Sequence, residues 1–174
     1  MYRLGHLGAS LLAYAPLGVA VALAIDPTLA AIGGLVALAL ATVPDADEYL
    51  PIPHRGPTHS IAFVVVSAVV VGVLAVAVAS LQGVSSASSG ASSGPIDAST
   101  GSIGAVCGVA AAISLSSHLA ADSVTPMGIK PFWPVSDRHY TFDLTPAKNP
   151  RANLLLFVSG VGAAGIGAVI VLVI

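Results

Sequence analysis

The stretch SIAFVVVSAVVVGVLAVAVASL, Ser60 to Leu81, contains no Asp, Glu, Lys or Arg. A helix needs roughly 20 apolar residues to cross about 30 Å of hydrocarbon, and this run is long enough to do so in one pass. Charge-free runs recur on either side of it, at Leu7 to Ile25, Thr28 to Val43, Ile103 to Ala121 and Leu154 to Ile174. Only the run from Thr28 to Val43 is marginal in length. Asp26-Pro27 precedes it, a natural stop and start signal between two helices. Of the 174 residues 56% are hydrophobic and 8% charged, whereas a soluble domain carries about 25% charged residues. The chain therefore reads as an all-α, polytopic membrane bundle of about five transmembrane helices, a single domain over residues 1–174.

The same composition excludes a disordered chain, which needs low hydrophobicity and high charge. It also excludes a nucleic-acid binder, since a formal net charge of -2 offers no basic face. Residues 82–102, QGVSSASSGASSGPIDASTGS, carry one charge, Asp97, and no aromatic residue, the composition of a flexible linker outside the membrane. Across five spans the basic residues Arg3, Arg55, Lys130, Arg138, Lys148 and Arg151 all fall on one face. The positive-inside rule makes that face cytoplasmic and places the linker and the C-terminus outside. Residues 1–25 also admit a reading as a cleaved signal peptide, with Arg3 as its basic start and Ala22-Leu23-Ala24 as its cleavage site. The run is long for such a segment, and its removal would split the basic residues between the two faces.

The chemistry-bearing residues gather on the same face: His6, His54, His59, His118 and His139, with Asp45, Asp47, Glu48, Asp122, Asp137 and Asp143. Ionisable groups at membrane-helix ends are costly and usually functional. The one cysteine, Cys107, lies in an apolar run, so any metal chemistry must use His and carboxylates. Three patterns stand out. Pro44-Asp45-Ala46-Asp47 ends the second span and sets two carboxylates two residues apart, able to face one cation. His54-Arg55-Gly56-Pro57-Thr58-His59-Ser60 opens the third span. It places His59 on the first helical turn and beside it Arg55, a fork that can hold a phosphate bidentately. His118 and Asp122 stand at i and i+4 on one helix face, which Ser114 extends. Each piece alone also has a plain reading, as solvated loop acids, a snorkelling Arg, or a His oriented by a neighbouring Asp. Asp137 and His139 sit in a polar loop without a restraining helix, and Phe132-Trp133-Pro134 reads as an interfacial anchor.

In order along the chain, His6, P-D-x-D, H-R-G-x-T-H-S and H-x-x-x-D-x-x-T-x-x-G resemble the YdjM-like membrane-bound metal-dependent hydrolases over nearly the whole length. The resemblance implies a multi-span helical protein with a divalent-metal hydrolase site. It also implies a more distant similarity to zinc-dependent phospholipase C and P1-type nucleases. Two departures are visible: Glu48-Tyr49 stands where another His or Asp is expected, and the Ser/Gly-rich linker has the look of an insertion.

The expected activity is hydrolysis of a phosphoester, a phospholipid among the candidates, at the cytoplasmic face of the inner membrane. His6, Asp45, Asp47, His59, His118 and Asp122 would make one or two metal centres, zinc first, with manganese and iron compatible. Asp47 would act as general base, and Arg55 with His54 would stabilise phosphoryl charge. The alternatives are a non-catalytic metal-binding scaffold and a divalent-cation transporter. Transport fits less well, because transporters place ionisable groups near the bilayer midplane. Intramembrane proteolysis lacks an H-E-x-x-H element. The topology is testable. A reporter fused after Ile174 should read as extracytoplasmic, and a cysteine placed at Ser92 should react with an impermeant thiol reagent from outside. Cytoplasmic readouts at both positions would reverse the sidedness.

Overall fold

The computed structural model describes residues 1–52, 54–87 and 98–174. Five helices, α1 (Arg3–Ala24), α2 (Pro27–Leu40), α3 (Ile61–Ala87), α4 (Ala98–Ser123) and α5 (Pro150–Val173), are joined by loops holding 3-10 turns at Pro44–Tyr49 and Pro57–His59. Among the described residues there is no strand, only an isolated bridge between Ile129 and Tyr140 in the loop before α5. This follows from the composition, because hydrocarbon leaves no water to satisfy backbone polar groups and an α-helix satisfies its own. All five spans are long and apolar enough to cross a membrane, the second by extending through the 3-10 turn to Tyr49. α3 continues to Ala87 and α4 begins at Ala98, so both run into the ends of the Ser/Gly-rich stretch. The centre of that stretch, residues 88–97, lies outside the described residues.

Local chemistry sets the helix ends. Asp26 caps α2, its carboxylate accepting from the Leu29 N–H at 2.8 Å, and Pro27 fills the first helical position where no N–H is needed. At its other end α2 stops early. The Ala41 N–H turns to the Leu38 carbonyl, three residues back, and Pro44 then opens the 3-10 turn. This leaves the carbonyls of Ala37 and Ala41 without their usual helical donors. Side chains of other helices take them up. Ser114 Oγ lies 2.6 Å and Ser10 Oγ 3.0 Å from Ala37 O, and His118 Nδ1 donates to Ala41 O at 2.8 Å.

α4 lies at the centre, packed on α1, α2 and α3, whereas α5 packs on α1 and α3 on α4. The centre is built from small residues, Ala37, Ala41, Ala110 and Ala111 being fully buried. Lipid is as apolar as leucine, so close approach and interhelical hydrogen bonds hold such a bundle together. The α1–α5 crossing shows how close. A Cβ built on Gly160 would lie 2.2 Å from the Gly8 carbonyl oxygen, and one on Gly8 would meet the backbone of Leu156 at 2.4 Å. A Cβ on Gly162 meets nothing within 4 Å. Gly160→Val should therefore cost about 3 kcal/mol or more, while Gly162→Val stays within about 0.5 kcal/mol. Thermal unfolding of the two variants in detergent makes the comparison, and equal midpoints would contradict the crossing.

Candidate metal centre

Two polar stripes face each other across the bundle, each advancing by the four-residue step that keeps side chains on one helix face. α1 supplies His6, Ser10 and Tyr14, and α4 supplies Asp122, His118 and Ser114, all buried. Ser10 and Ser114 meet at 2.9 Å. One turn nearer the surface, the His6 and His118 rings stack with centroids 3.7 Å apart. Asp45 enters from the 3-10 turn after α2, and His59 from the turn before α3. The start of α1, the end of α2, the root of α3 and the end of α4 thus share one end of the bundle, as alternating spans require.

Donor atoms of His6, Asp45, His118 and Asp122 all lie within 4.8 Å of one another. Asp45 Oδ1 is 3.4 Å from His118 Nε2, and Asp45 Oδ2 is 3.6 Å from His6 Nε2. His59 joins this group, its Nε2 lying 3.2 Å from Asp122 Oδ2, 3.2 Å from His118 Nε2 and 3.6 Å from Asp45 Oδ1. Ligands held about 2.0–2.2 Å from one ion stand roughly 3–4 Å from each other. These separations match that spacing better than they match ordinary pairing. Asp122 Oδ2 is buried and has no aligned hydrogen bond, although two ring nitrogens face it, while His6 turns Nε2 to the cluster, where the Met1 carbonyl oxygen lies 3.1 Å away. Buried polar atoms left in this state are rare and call for an ion or water.

Outer partners fix the rings. His118 donates Nδ1–H to the Ala41 carbonyl, which turns Nε2 toward the centre. His59 Nδ1 faces Thr58 Oγ1 at 3.0 Å and Asp47 Oδ2 at 3.4 Å, so its Nε2 points the same way. This is the carboxylate–histidine arrangement that orients metal-binding imidazoles. Burial alone would lower the His59 pKa. Asp122 and Asp45 override that and hold the ring above the usual histidine range.

The model of one protein family matches residues 1–174, the whole chain. The chain belongs to the YdjM inner membrane protein family. No curated protein and no solved structure matches it. The family description names a membrane location and no reaction.

In this YdjM-family chain the remaining expected residues fall outside the donor cluster. Asp47, expected as ligand and base, is 1% exposed and fully engaged. Its Oδ1 pairs with His54 Nδ1 at 2.7 Å, and its Oδ2 accepts from the Arg55 N–H at 2.9 Å and Thr58 Oγ1 at 2.8 Å. His54 is held on the outer side of Asp47. His59 does not ride on the first turn of α3. Pro57 starts a separate 3-10 turn, Ser60 Oγ accepts from the Phe63 N–H, and α3 begins only at Ile61. Asp137 pairs with Lys130 on the surface and His139 contacts the Met127 carbonyl, so both belong to the loop.

Arg55 differs most from its expected role as an open fork. It sits at φ 56° and turns its guanidinium inward, where Nη2 pairs with Asp122 Oδ1 at 2.9 Å and Nη1 donates to Thr125 Oγ1 and the Gly128 carbonyl, both at 3.0 Å. Gly128 is suited to this loop: its φ is +55°, and a Cβ there would meet the Tyr140 carbonyl oxygen at 2.4 Å. Thr58 and Thr125 stand in the sequence motifs but with no contact role expected of them, and Asn153 carries no sequence signal. Asn153 Oδ1 accepts from the Tyr2 N–H at 2.9 Å, tying the approach to His6 onto α5. Because Arg55 grips a donor residue, Arg55→Lys should lower metal affinity by about 10–100-fold. Asp137→Asn, on the exposed loop, should leave it unchanged. Chelator competition reads both, and an unaltered affinity in Arg55→Lys would contradict the Asp122 grip.

Proposed function

We propose that this protein holds a divalent cation and acts as a metal-dependent hydrolase of the inner membrane, cutting a phosphoester at the cytoplasmic interface. The observation that carries the proposal is the convergence of His6, Asp45, His118 and Asp122, with His59 beside them. The donor set, imidazole and carboxylate without thiolate, suits zinc, with manganese and iron next. A cation bound there would bring the pKa of its water towards 7 and polarise a phosphoryl oxygen. His118 and His59 are pre-turned by Ala41 and by Thr58 with Asp47, so these two rings need little reorientation. Asp45 is the donor open to solvent, at 28% exposure against 0% for His6, His59, His118 and Asp122. That exposure supports Asp45, rather than the engaged Asp47, as the carboxylate that would accept a proton from incoming water. The basic residues on the same face support the cytoplasmic placement. The distant likeness to zinc-dependent phospholipase C and P1-type nucleases enters this proposal only as what the family resemblance implies.

The depth of the other donors favours one rival, a non-catalytic metal scaffold, since closed and buried sites are the structural kind. Elemental analysis of purified protein, then assay on phospholipids and phosphomonoesters, decides between the two. Bound metal and chelator-sensitive hydrolysis are expected. Asp122→Asn should lower both metal content and rate, the rate by about 10²-fold or more given what partners one layer further out already contribute. Metal-replete protein that hydrolyses none of these esters would leave the scaffold.

A further inference from the structure

The donor cluster reaches the surface on one side, through Asp45. There a cleft of about 510 Å³ opens between the start of α1 and the end of α2, with Arg3, Thr42, Asp45 and Glu48 on its walls and Tyr2 and Tyr49 at its edge. Its surroundings are apolar. Leu4 is 50% exposed and Leu50 53%, and the two tyrosines are exposed beside them, the mix of aromatic and aliphatic groups found at the headgroup level of a bilayer. The cleft thus has polar walls and opens among exposed apolar residues adjacent to it in sequence.

A phosphate entering this cleft would meet the carboxylates Asp45 and Glu48, and beyond the cation at the donor cluster a basic side chain on the cleft wall would offset their repulsion. Arg55 is already committed to Asp122, Thr125 and Gly128. Met1 also lines the cleft, but its amino group is paired with Asp122, which leaves Arg3, exposed, as the basic side chain on the walls. Its planar fork suits two phosphate oxygens. We infer that this cleft is the substrate entrance, taking the phosphate of a bilayer lipid, with Arg3 as the residue that binds it and presents its ester to the donor cluster. The inference rests on the hydrolase reading and extends it to substrate class.

The test measures binding, independently of turnover. Zinc-loaded protein in maltoside micelles is titrated with a short-chain phosphonate analogue of phosphatidic acid, which resists hydrolysis, and separately with inorganic phosphate. Arg3→Ala should weaken binding of the analogue about tenfold, the scale of one charge-assisted contact. Arg3→Lys should recover part of it, and Arg151→Ala should match wild type, all at equal zinc content. Unchanged affinity in Arg3→Ala would overturn the assignment, and inorganic phosphate binding as tightly as the analogue would overturn the bilayer origin. Arg3-dependent binding by a protein that hydrolyses no ester would keep the cleft and remove the hydrolase reading. Hydrolysis of phospholipid with no dependence on Arg3 would remove the cleft alone.

Discussion

A carboxylate sealed at the end of a membrane helix is the constraint on which this architecture turns. An isolated buried charge is expensive enough that it must be paired or neutralised, and Asp122 has no exposure at all. Its Oδ1 is met by Arg55 and by the amino group of Met1, and its Oδ2 faces His59 and His118. Bringing Arg55 to that position requires a left-handed backbone, uncommon outside glycine, asparagine and aspartate. It also requires the loop after α4 to bend so that Thr125 and the Gly128 carbonyl receive the other arm of the guanidinium. The α4–α5 loop is thereby part of the centre, although it adds no donor to the cluster.

The second organising feature is the early end of α2. Ending at Leu40 gives up regular backbone bonds inside a membrane, where replacements are scarce. The two carbonyls released are the ones that receive Ser10, Ser114 and His118. One irregularity thus links α1, α2 and α4 and sets the ring of His118, while the 3-10 turn that follows carries Asp45 to the same place. Helix packing and ligand orientation share these hydrogen bonds.

The spans and their alternation were legible because charge is so scarce that each charge-free run declares itself. His118 and Asp122 were legible because a four-residue step is a helical face regardless of tertiary context. What periodicity does not encode is which way a loop side chain turns. Arg55 and Asp47 lie in irregular segments, and their inward and outer positions follow from one backbone dihedral and from Thr58, neither of which composition weights. The first helical turn expected at His59 gave way to a 3-10 turn because Pro57 and Ser60 each supply a separate initiation signal. Asn153 was hidden for a different reason, since its partner is a backbone N–H at the far end of the sequence.

The site draws on both halves of the chain, and this governs the order in which it can exist. His6 is made first and Asp122 only at the end of α4, so the acid arrives together with His118 at a bundle that already holds His6, Asp45 and His59. Until α4 docks, His118 and Asp122 have neither the Ala41 carbonyl nor Arg55. Completion of the centre therefore waits on the docking of α4, which brings His118 to the Ala41 carbonyl and Asp122 to Arg55.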